Sequence, residues 1–593
     1  MKNGTFYEDL SVIFKRSKIL FVVVQALFII LILFFWKIQI LDHQKYWVKS
    51  EDNRTREIVL SPQRGLIYDR DGELLATNIA SFKVSLVKEN CRDFDESIQR
   101  ISRLIDLEPE VILERLEKYK TQPEFRPVVI KDNLSNEEVA RIEVQKVEFP
   151  ELIIQSEPKR YYPRGSFGSH VLGYLQEVSD EEIRNDSFPG RRLGDLVGKT
   201  GIEWVYDSQM EGTEGRLLEI VDSTGRIEGE LARQKPSPGE NITLTLDSEL
   251  QLKAEELLEG REGAIVVMNV ESGEILALAS YPSFDPNKFI NRFTPDEWQE
   301  LANNPENPLQ NRAIRGLYSP GSIFKITMAI AGLELRMIND NTNVTCFGET
   351  IIYGHPFRCW YEPGHGPLNL FGALQHSCNI YFYQLGKKLS IDSIAKYARM
   401  LGFERKTGID LPGEYSGLIP DTEWKKKARN EPWYPGETIS VSIGQGPIQV
   451  TPLQICYHTS IIANRGKRVI PHLVNSRADY NLPPIELPRS TFERVIRGMW
   501  LSSNQQGTSQ AARIDGFDVC GKTGSTQTIS RETAEKLAEQ KIEVSTHAWF
   551  SGFAPRDNPK IAVTVIIEYG GGGGAAAAPV AGELFKKYRE KYD

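Results

Sequence analysis

Between Ile19 and Trp36 the chain is apolar at every position except Gln25, and Ile38, Ile40 and Leu41 extend the run. A stretch of that length crosses the hydrocarbon of a bilayer as one helix. Phe34-Phe35-Trp36-Lys37 closes it without the small residues of a cleavage site, so the helix is expected to remain as an anchor and not to leave as a signal peptide. A buried core helix is the plainer alternative, but no other long helical pattern lies nearby to cover it. Lys15, Arg16 and Lys18 precede the run and favour a cytoplasmic N-terminus, against a weaker set, Lys37, Lys45 and Lys49, on the far side. The remainder is then expected on the extracytoplasmic side of the membrane.

The 593 residues, 40% hydrophobic and 25% charged, have material for two to four domains. A net charge of -9 argues against nucleic acid as partner, because phosphate binding needs a basic surface. Asp69-Arg70-Asp71-Gly72 supplies a turn between Gly65–Tyr68 and Glu73–Ala76, which reads as a hairpin opening the first folded region. Pro236, Pro238 and Gly239 punctuate the chain before the strand-like Ile242–Leu246. These signals divide it into a cytoplasmic tail (1–18), an anchor (19–41), a stalk and elongated pedestal (42–235) and a final domain (236–593). In that domain Asp247 caps a helix running to Gly260, Ala264–Val270 and Ile275–Ser280 form a hairpin, and further strands lie at His547–Phe553 and Ile561–Glu568. Strands at both ends with helical sequence between make it α+β. Gly570–Gly574 and Ala575–Ala578 read as a low-complexity, flexible connection before a helix near Gly582–Tyr592.

A serine nucleophile needs a base, and a lysine three residues later on a helix lies one turn away on the same face. Ser322-Ile323-Phe324-Lys325 has this spacing, and so does Ser393-Ile394-Ala395-Lys396. Penicilloyl-serine transferases combine S-x-x-K with a Ser/Asn pair and K-T-G. Here each occurs twice: Ser377-Cys378-Asn379 and Ser502-Ser503-Asn504, Lys199-Thr200-Gly201 and Lys522-Thr523-Gly524. Ser322, Ser377 and Lys522 stand 55 and 145 residues apart, room for a helical subdomain and a return to the sheet. Ser502 is only 20 residues from Lys522, and Ser393 lacks a break like Pro320-Gly321 that exposes a serine at a helix start.

With that set the chain resembles the penicillin-binding proteins over nearly everything after the anchor. Tyr318–Lys325 looks like their nucleophile segment; Ser442-Ile443-Gly444-Gln445-Gly446, Thr451-Pro452-Leu453-Gln454 and Trp549–Pro555 are similar to further family segments. Arg64–Gly72 and Gly198–Glu203 look like the dimerisation-like pedestal of the class B, single-activity branch, which leaves Lys199-Thr200-Gly201 a structural role. The resemblance implies an antiparallel sheet with helices and a helical subdomain. It also implies a serine-type D-Ala-D-Ala transpeptidase that is acylated by β-lactams and needs no cofactor for acyl transfer. Ser322 is then the nucleophile and Lys325 its base, Ser377 and Asn379 relay protons and hold the peptide, and Lys522 and Thr523 bind the terminal carboxylate. Gly524 leaves room for substrate along the strand, and the N–H groups of Ser322 and Ser525 form the oxyanion hole.

Cys346, Cys359, His365 and Cys378 are separated by 12, 5 and 12 residues, and three thiolates with an imidazole suit tetrahedral zinc. A Cys346–Cys359 disulfide, with His365 and Cys378 merely packed, is the alternative in an oxidising compartment. Elongation-type members of the family resemble this chain in carrying a metal site here, often with carboxylates where Cys346 and Cys359 stand. Cys91, Cys456 and Cys520 read as small buried side chains, and His170 and His547 as structural.

Gly364-His365-Gly366, the cysteines around it and Trp433-Tyr434-Pro435-Gly436 look like the elongation subtype. That subtype implies a role in cell shape and peptidoglycan stem peptides as substrate. It further implies a polytopic glycan polymerase of the SEDS type, with other elongation-complex membrane proteins, as partners. The competing readings are a division-type transpeptidase, a non-catalytic scaffold or β-lactam sensor, and a carboxypeptidase or β-lactamase in which water takes the acyl group.

Overall fold

The computed structural model describes all residues except 1–9, 121–123, 125, 193, 222–226, 291–292, 477–478 and 528–545. Leu10–Trp36 is a single helix (α1), continued by one wider turn to Leu41. Its span Ile13–Leu41 is long and apolar enough to cross a membrane. Phe28, Ile30 and Leu33 are among the large apolar side chains it leaves exposed, a surface suited to lipid and costing on the order of 2 kcal/mol per side chain in water. The tail expected over 1–18 lies half outside the described residues.

Two compact units follow from the chain's contacts. The first takes in the residues up to Gln63, Ala80–Lys159 and Gly212–Pro238. It contains an antiparallel sheet in the order Thr55–Leu60, Gly215–Val221, Ile227–Gln234. Its core gathers Val84, Ile98, Ile101, Ile112 and Ile130. The helix Phe94–Ile105 contributes Ile98, Ile101 and Ile105 from one face, as a 3.6-residue period requires, and Asp93 caps it by accepting from Glu96 N.

The second unit takes in Arg64–Ile79, Arg160–Glu211 and Gly239–Asp593. The expected hairpin is present: Ile67–Tyr68 pairs antiparallel with residues at the start of the strand Leu74–Leu86. Glu203 is fully buried and accepts from Arg64 Nε (2.7 Å), Arg160 Nε (2.7 Å) and Tyr162 Oη (3.0 Å). Burial pushes its carboxyl up, and the Arg160 and Arg64 guanidiniums outweigh this and hold it below the usual range.

The centre of this unit is a five-stranded sheet. We label its strands with a small hairpin between them: β1 Gly263–Asn269, β2 Ile275–Tyr281, β3 Glu349–Ile352, β4 His355–Arg358, β5 Cys520–Thr526, β6 His547–Ala554 and β7 Ile561–Ile567. The order is β2-β1-β7-β6-β5, antiparallel throughout, so β5 is an edge strand. Along β1, Ala264, Val266 and Met268 enter one core cluster while Ile265 and Val267 enter another, the two-residue alternation of a strand buried on both faces. The second cluster is completed by Leu250, Ala254 and Leu258 of helix α2 (Ser248–Leu258) and by Leu584 and Phe585. Asp247 caps α2, as expected, by accepting from Leu250 N at 3.1 Å. The other face is covered by the helices inserted between β2 and β5: α3 Lys325–Glu334, α4 Leu370–Gln375, α5 Asn379–Lys388, α6 Pro452–Ala463 and α7 Arg489–Asn504.

One expectation fails. Gly570–Ala578 is not a flexible connection; helix α8 spans Gly573–Tyr592 and begins inside the glycine run. Ala577 and Ala578 are fully buried against the sheet. A Cβ on Gly573 would stand 2.3 Å from both Gly524 O and Trp549 O. The repeated small residues reflect close helix-to-sheet packing, and alanine is the strongest helix former.

Candidate active site

The nucleophile candidate is held by its flanks. Trp549 Nε1 donates to Ser319 O (3.1 Å), and Tyr318 Oη donates to Glu568 Oε1 (2.6 Å). Gly321 has φ +55°, and a Cβ there would meet Thr526 Cγ2 at 2.7 Å and Ser525 O at 3.0 Å. Only glycine combines that backbone with such an approach. The chain then makes a 3₁₀ turn, Gly321–Phe324, and passes into α3 at Lys325. Ser322, half-buried, opens onto a cleft of about 1060 Å³.

Lys325 is fully buried and donates to Ser377 O (2.8 Å), Ser377 Oγ (3.2 Å) and Asn379 Oδ1 (2.7 Å). Only the ammonium form can donate to all three; a neutral Lys325 donates to two of them and can take a proton from the Ser377 hydroxyl on its lone pair. Ser377 sits in the turn between α4 and α5 at φ +53°, a conformation costing a non-glycine residue about 1 kcal/mol or more. From β5, Lys522 Nζ donates to Ser377 Oγ (2.8 Å) and to Thr523 O (3.0 Å). Burial lowers Lys325 to about 8, although nearby cysteine sulfurs pull it back up. Burial and repulsion from Lys325 push Lys522 well below the usual lysine value. Two buried amines on one hydroxyl favour fewer than two positive charges.

The geometry adds residues that motif reading passed over. Thr523 Oγ1 donates to Thr508 Oγ1 (2.8 Å), and Thr508 lines the cleft. The Ser525 carbonyl accepts from Gln445 Nε2 (3.4 Å) and its hydroxyl from Gly573 N (3.2 Å). Gln445 lay in a segment read as family-like but given no role, whereas nothing local marks Thr508. Gly524, which lines the cleft, also meets a constraint from within the protein. A Cβ there would stand 3.0 Å from Pro320 O and 3.2 Å from Trp549 Cβ, so the missing side chain admits the Ser322 segment as well.

Residues 263–586 match the penicillin binding protein transpeptidase domain, and residues 59–244 match the penicillin-binding protein dimerisation domain. The chain belongs to the penicillin-binding protein family. It is a class B member of the elongation type, by its pairing of these two domains and by its relatives. It is 36% identical to the peptidoglycan D,D-transpeptidase MrdA of Acinetobacter baumannii, over 94% of this chain and 85% of that protein. Among solved structures, penicillin-binding protein PBP2 of Helicobacter pylori, in complex with MreC, superposes with a TM-score of 0.81. It is 32% identical and covers 91% of this chain and 99% of its own. A structure described as a peptidoglycan synthase complex coordinating polymerization and crosslinking superposes at 0.72, with 28% identity, over 97% and 98%.

Within this penicillin-binding protein the duplicate motifs fall elsewhere. Ser390 caps the helix that carries Ser393, its hydroxyl accepting from Ser393 N (3.1 Å) and donating to Ser393 Oγ (2.9 Å), and Lys396 is exposed. Ser502 is buried against Ser509, and Asn504 binds Trp500 O and Val519 O. Lys199 pairs with Glu182, and Gly201 (φ +62°) packs where a Cβ would meet Val171 O at 2.5 Å. Cys456 and Cys520 are buried and Cys91 half-buried. His170 binds Pro308 O (2.9 Å), and His547 Nδ1 accepts from Tyr569 N (3.1 Å).

Cys346, Cys359, His365 and Cys378 converge, their ligand atoms all within 4.8 Å of one another. The three cysteines are free, so the Cys346–Cys359 disulfide is not formed. His365 Nδ1 lies 3.6 Å from the sulfurs of Cys346 and Cys359. The contact with Cys378 draws the Cys359 thiol down to about 4 and pushes Cys378 up, so the two sulfurs share one proton. Three sulfurs and an imidazole nitrogen gathered this closely fit a tetrahedral cation.

Proposed function

We propose that this chain is an elongation-type peptidoglycan D,D-transpeptidase of the bacterial cytoplasmic membrane, as its relatives' names indicate. The observation that carries the site assignment is that Lys325 and Lys522 meet on the hydroxyl of Ser377, in the cleft onto which Ser322 opens. Ser322 Oγ attacks the carbonyl of the penultimate D-alanine of a stem peptide. Its proton passes to neutral Lys325, directly or through Ser377, and then to the departing D-alanine as the C–N bond breaks. The N–H groups of Ser322 and Ser525 stabilise the oxyanion, typically by about 3 kcal/mol per donor. Lys522, Thr523 and Asn379 hold the donor peptide along the edge strand, and a second stem's amine resolves the acyl-enzyme. β-Lactams acylate the same serine and stop there.

One zinc ion is held by Cys346, Cys359, His365 and Cys378. It supplies structural cross-linking, and no acyl-transfer step runs through it. Its use is to brace the turn that carries Ser377 and Asn379, since Cys378 lies between them. Residues 1–18 form a cytoplasmic tail, 19–41 the anchor, 42–235 the stalk and pedestal and 236–593 the transpeptidase domain, with the catalytic side extracytoplasmic. The solved complexes of similar proteins support elongation-complex partners; the specific partner is a SEDS-type glycan polymerase engaged by the membrane helix and pedestal.

Intact-mass measurement after penicillin exposure, followed by peptide mapping, tests the assignment. One adduct on Ser322 is expected, absent from Ser322→Ala. A label on Ser393 would overturn it.

A further inference from the structure

The cleft around Ser322 is built by two sets of residues. The donor set comes from β5, Gln445 and the glycines at the start of α8. The other comes from a small lobe of β3, β4 and the following turn: Phe347, Glu349, Arg358, Trp360 and Glu362. Thr523, Gly524 and Ser525 account for the donor peptide, and nothing in the mechanism yet uses the lobe.

This lobe is firm and unexpectedly apolar. Trp360 Nε1 donates to His376 O (2.9 Å) and Asn379 Nδ2 donates to Arg358 O (3.4 Å), so two bonds fasten it to the turn bearing Ser377 and Asn379. The Glu362 backbone lies against Gly348, where a Cβ would stand 1.9 Å from Glu362 O. Yet Phe347 is 79% and Trp360 56% exposed. A tethered indole and an exposed phenyl ring lining a catalytic cleft form a ready contact surface for a second molecule. The charge on this wall is equally specific. Glu349 and Glu362 are the only acidic residues lining the cleft among the described residues. Glu349 is paired across the hairpin with Arg358 (2.7 Å), while Glu362 is exposed and has no ion pair among the described residues.

We infer that this lobe is the acceptor subsite, where Phe347 and Trp360 pack on the second stem peptide and the Glu362 carboxylate attracts its side-chain ammonium. The inference rests on the transpeptidase reading. An alkyl amine is protonated at neutral pH, so a carboxylate at the mouth raises its local concentration, and the continuous cleft leads from there to the acyl-enzyme. The ammonium gives one proton to water, and its nitrogen attacks the ester carbonyl on Ser322. The C–N bond forms, the C–Oγ bond breaks, and the second proton returns to Ser322 Oγ. The balance is an amide, a free serine and one released proton.

The test uses the full-length protein in lipid nanodiscs, acylated by a D-alanyl thioester donor. The acyl group is partitioned between water, methanol and the tripeptide L-Ala-γ-D-Glu-L-Lys. Glu362→Lys should lower the tripeptide-to-water ratio about fivefold, as loss and reversal of one exposed charge would. Phe347→Ser should lower it about threefold. The methanol-to-water ratio and penicillin acylation should stay unchanged in both. An unchanged tripeptide ratio in both variants, with normal acylation, would overturn the subsite and leave the transpeptidase reading standing. Loss of penicillin acylation in both would also overturn it, by making the lobe part of the donor site. Wild-type protein that no donor acylates would end both readings.

Discussion

Lys522 Nζ stands 2.8 Å from Ser377 Oγ, although 145 residues separate the two. The same hydroxyl lies 3.2 Å from Lys325 Nζ, so one oxygen links an edge strand, a turn and the helix that begins beside Ser322. Neither lysine has a carboxylate among its hydrogen-bond partners. Burial lowers both, opposed at Lys325 by nearby cysteine sulfurs and reinforced at Lys522 by repulsion from Lys325.

The first consequence is a pH profile. Lys325 acts as a base only when neutral, and burial brings it down to about 8. The rate of penicillin acylation should rise with pH through that value and fall about tenfold per unit on its acid side. Lys325→Ala should lower the rate at pH 8 by about 10²–10⁴-fold and remove the limb. Stopped-flow acylation across pH 6–10 checks both, and a limb at the ordinary lysine value would count against Lys325 as base.

A matched glycine pair tests how α8 supports the edge strand. Gly573→Ala places a Cβ 2.3 Å from Gly524 O, whereas Gly572, at φ −84°, has nothing within 4 Å of its added Cβ. Gly573→Ala should destabilise by about 1–3 kcal/mol and slow acylation, because β5 must move. Gly572→Ala should change stability by less than about 0.5 kcal/mol. Thermal unfolding and acylation rates of the two variants, side by side, give the comparison.

Metal loss should be visible without any assay of turnover. If the Cys/His cluster holds zinc, purified protein should contain one zinc per chain, and Cys359→Ser should abolish it. With free zinc at 100 times its dissociation constant the ion adds about 2.7 kcal/mol, which chelation should remove as a fall in Tm. Elemental analysis showing no zinc in protein purified without chelator would exclude the site.

Glu203 offers a stability test away from the chemistry. Its carboxylate neutralises two guanidiniums in a dry environment, at 2.7 Å each. Glu203→Gln should cost about 3–5 kcal/mol by leaving buried charge unpaired. Because the carboxyl is held below its usual range, the stabilisation is present above the unfolded-state value. It is lost as pH falls through the lower folded-state value, so the variant and wild type should converge in acid. Chemical denaturation at neutral and acid pH checks the sign.

Local patterns made much of this legible. The long apolar helix near the N-terminus, the capping Asp247, the β1–β2 hairpin and the Pro320-Gly321 break depend on residues close to each other in the chain. The order of the three motifs and their spacing separated Ser322 from Ser393 and Lys522 from Lys199. Where local composition has two meanings, the reading failed. Gly570–Ala578 has the composition of a linker, and its close approach to Gly524 and Trp549 belongs to residues far along the chain.

Sequence by itself determined which groups are available: one hydroxyl poised at a helix start, two lysines, a Ser/Asn turn and three thiols with an imidazole. Tertiary structure decided what they are to one another. Only folding puts Lys325 and Lys522 on a single oxygen, gathers Cys346, Cys359 and Cys378 around His365, and turns Gly524 toward the Ser322 segment. The physical reason is that burial and distance set charge, acidity and steric fit, and both are properties of the packed chain.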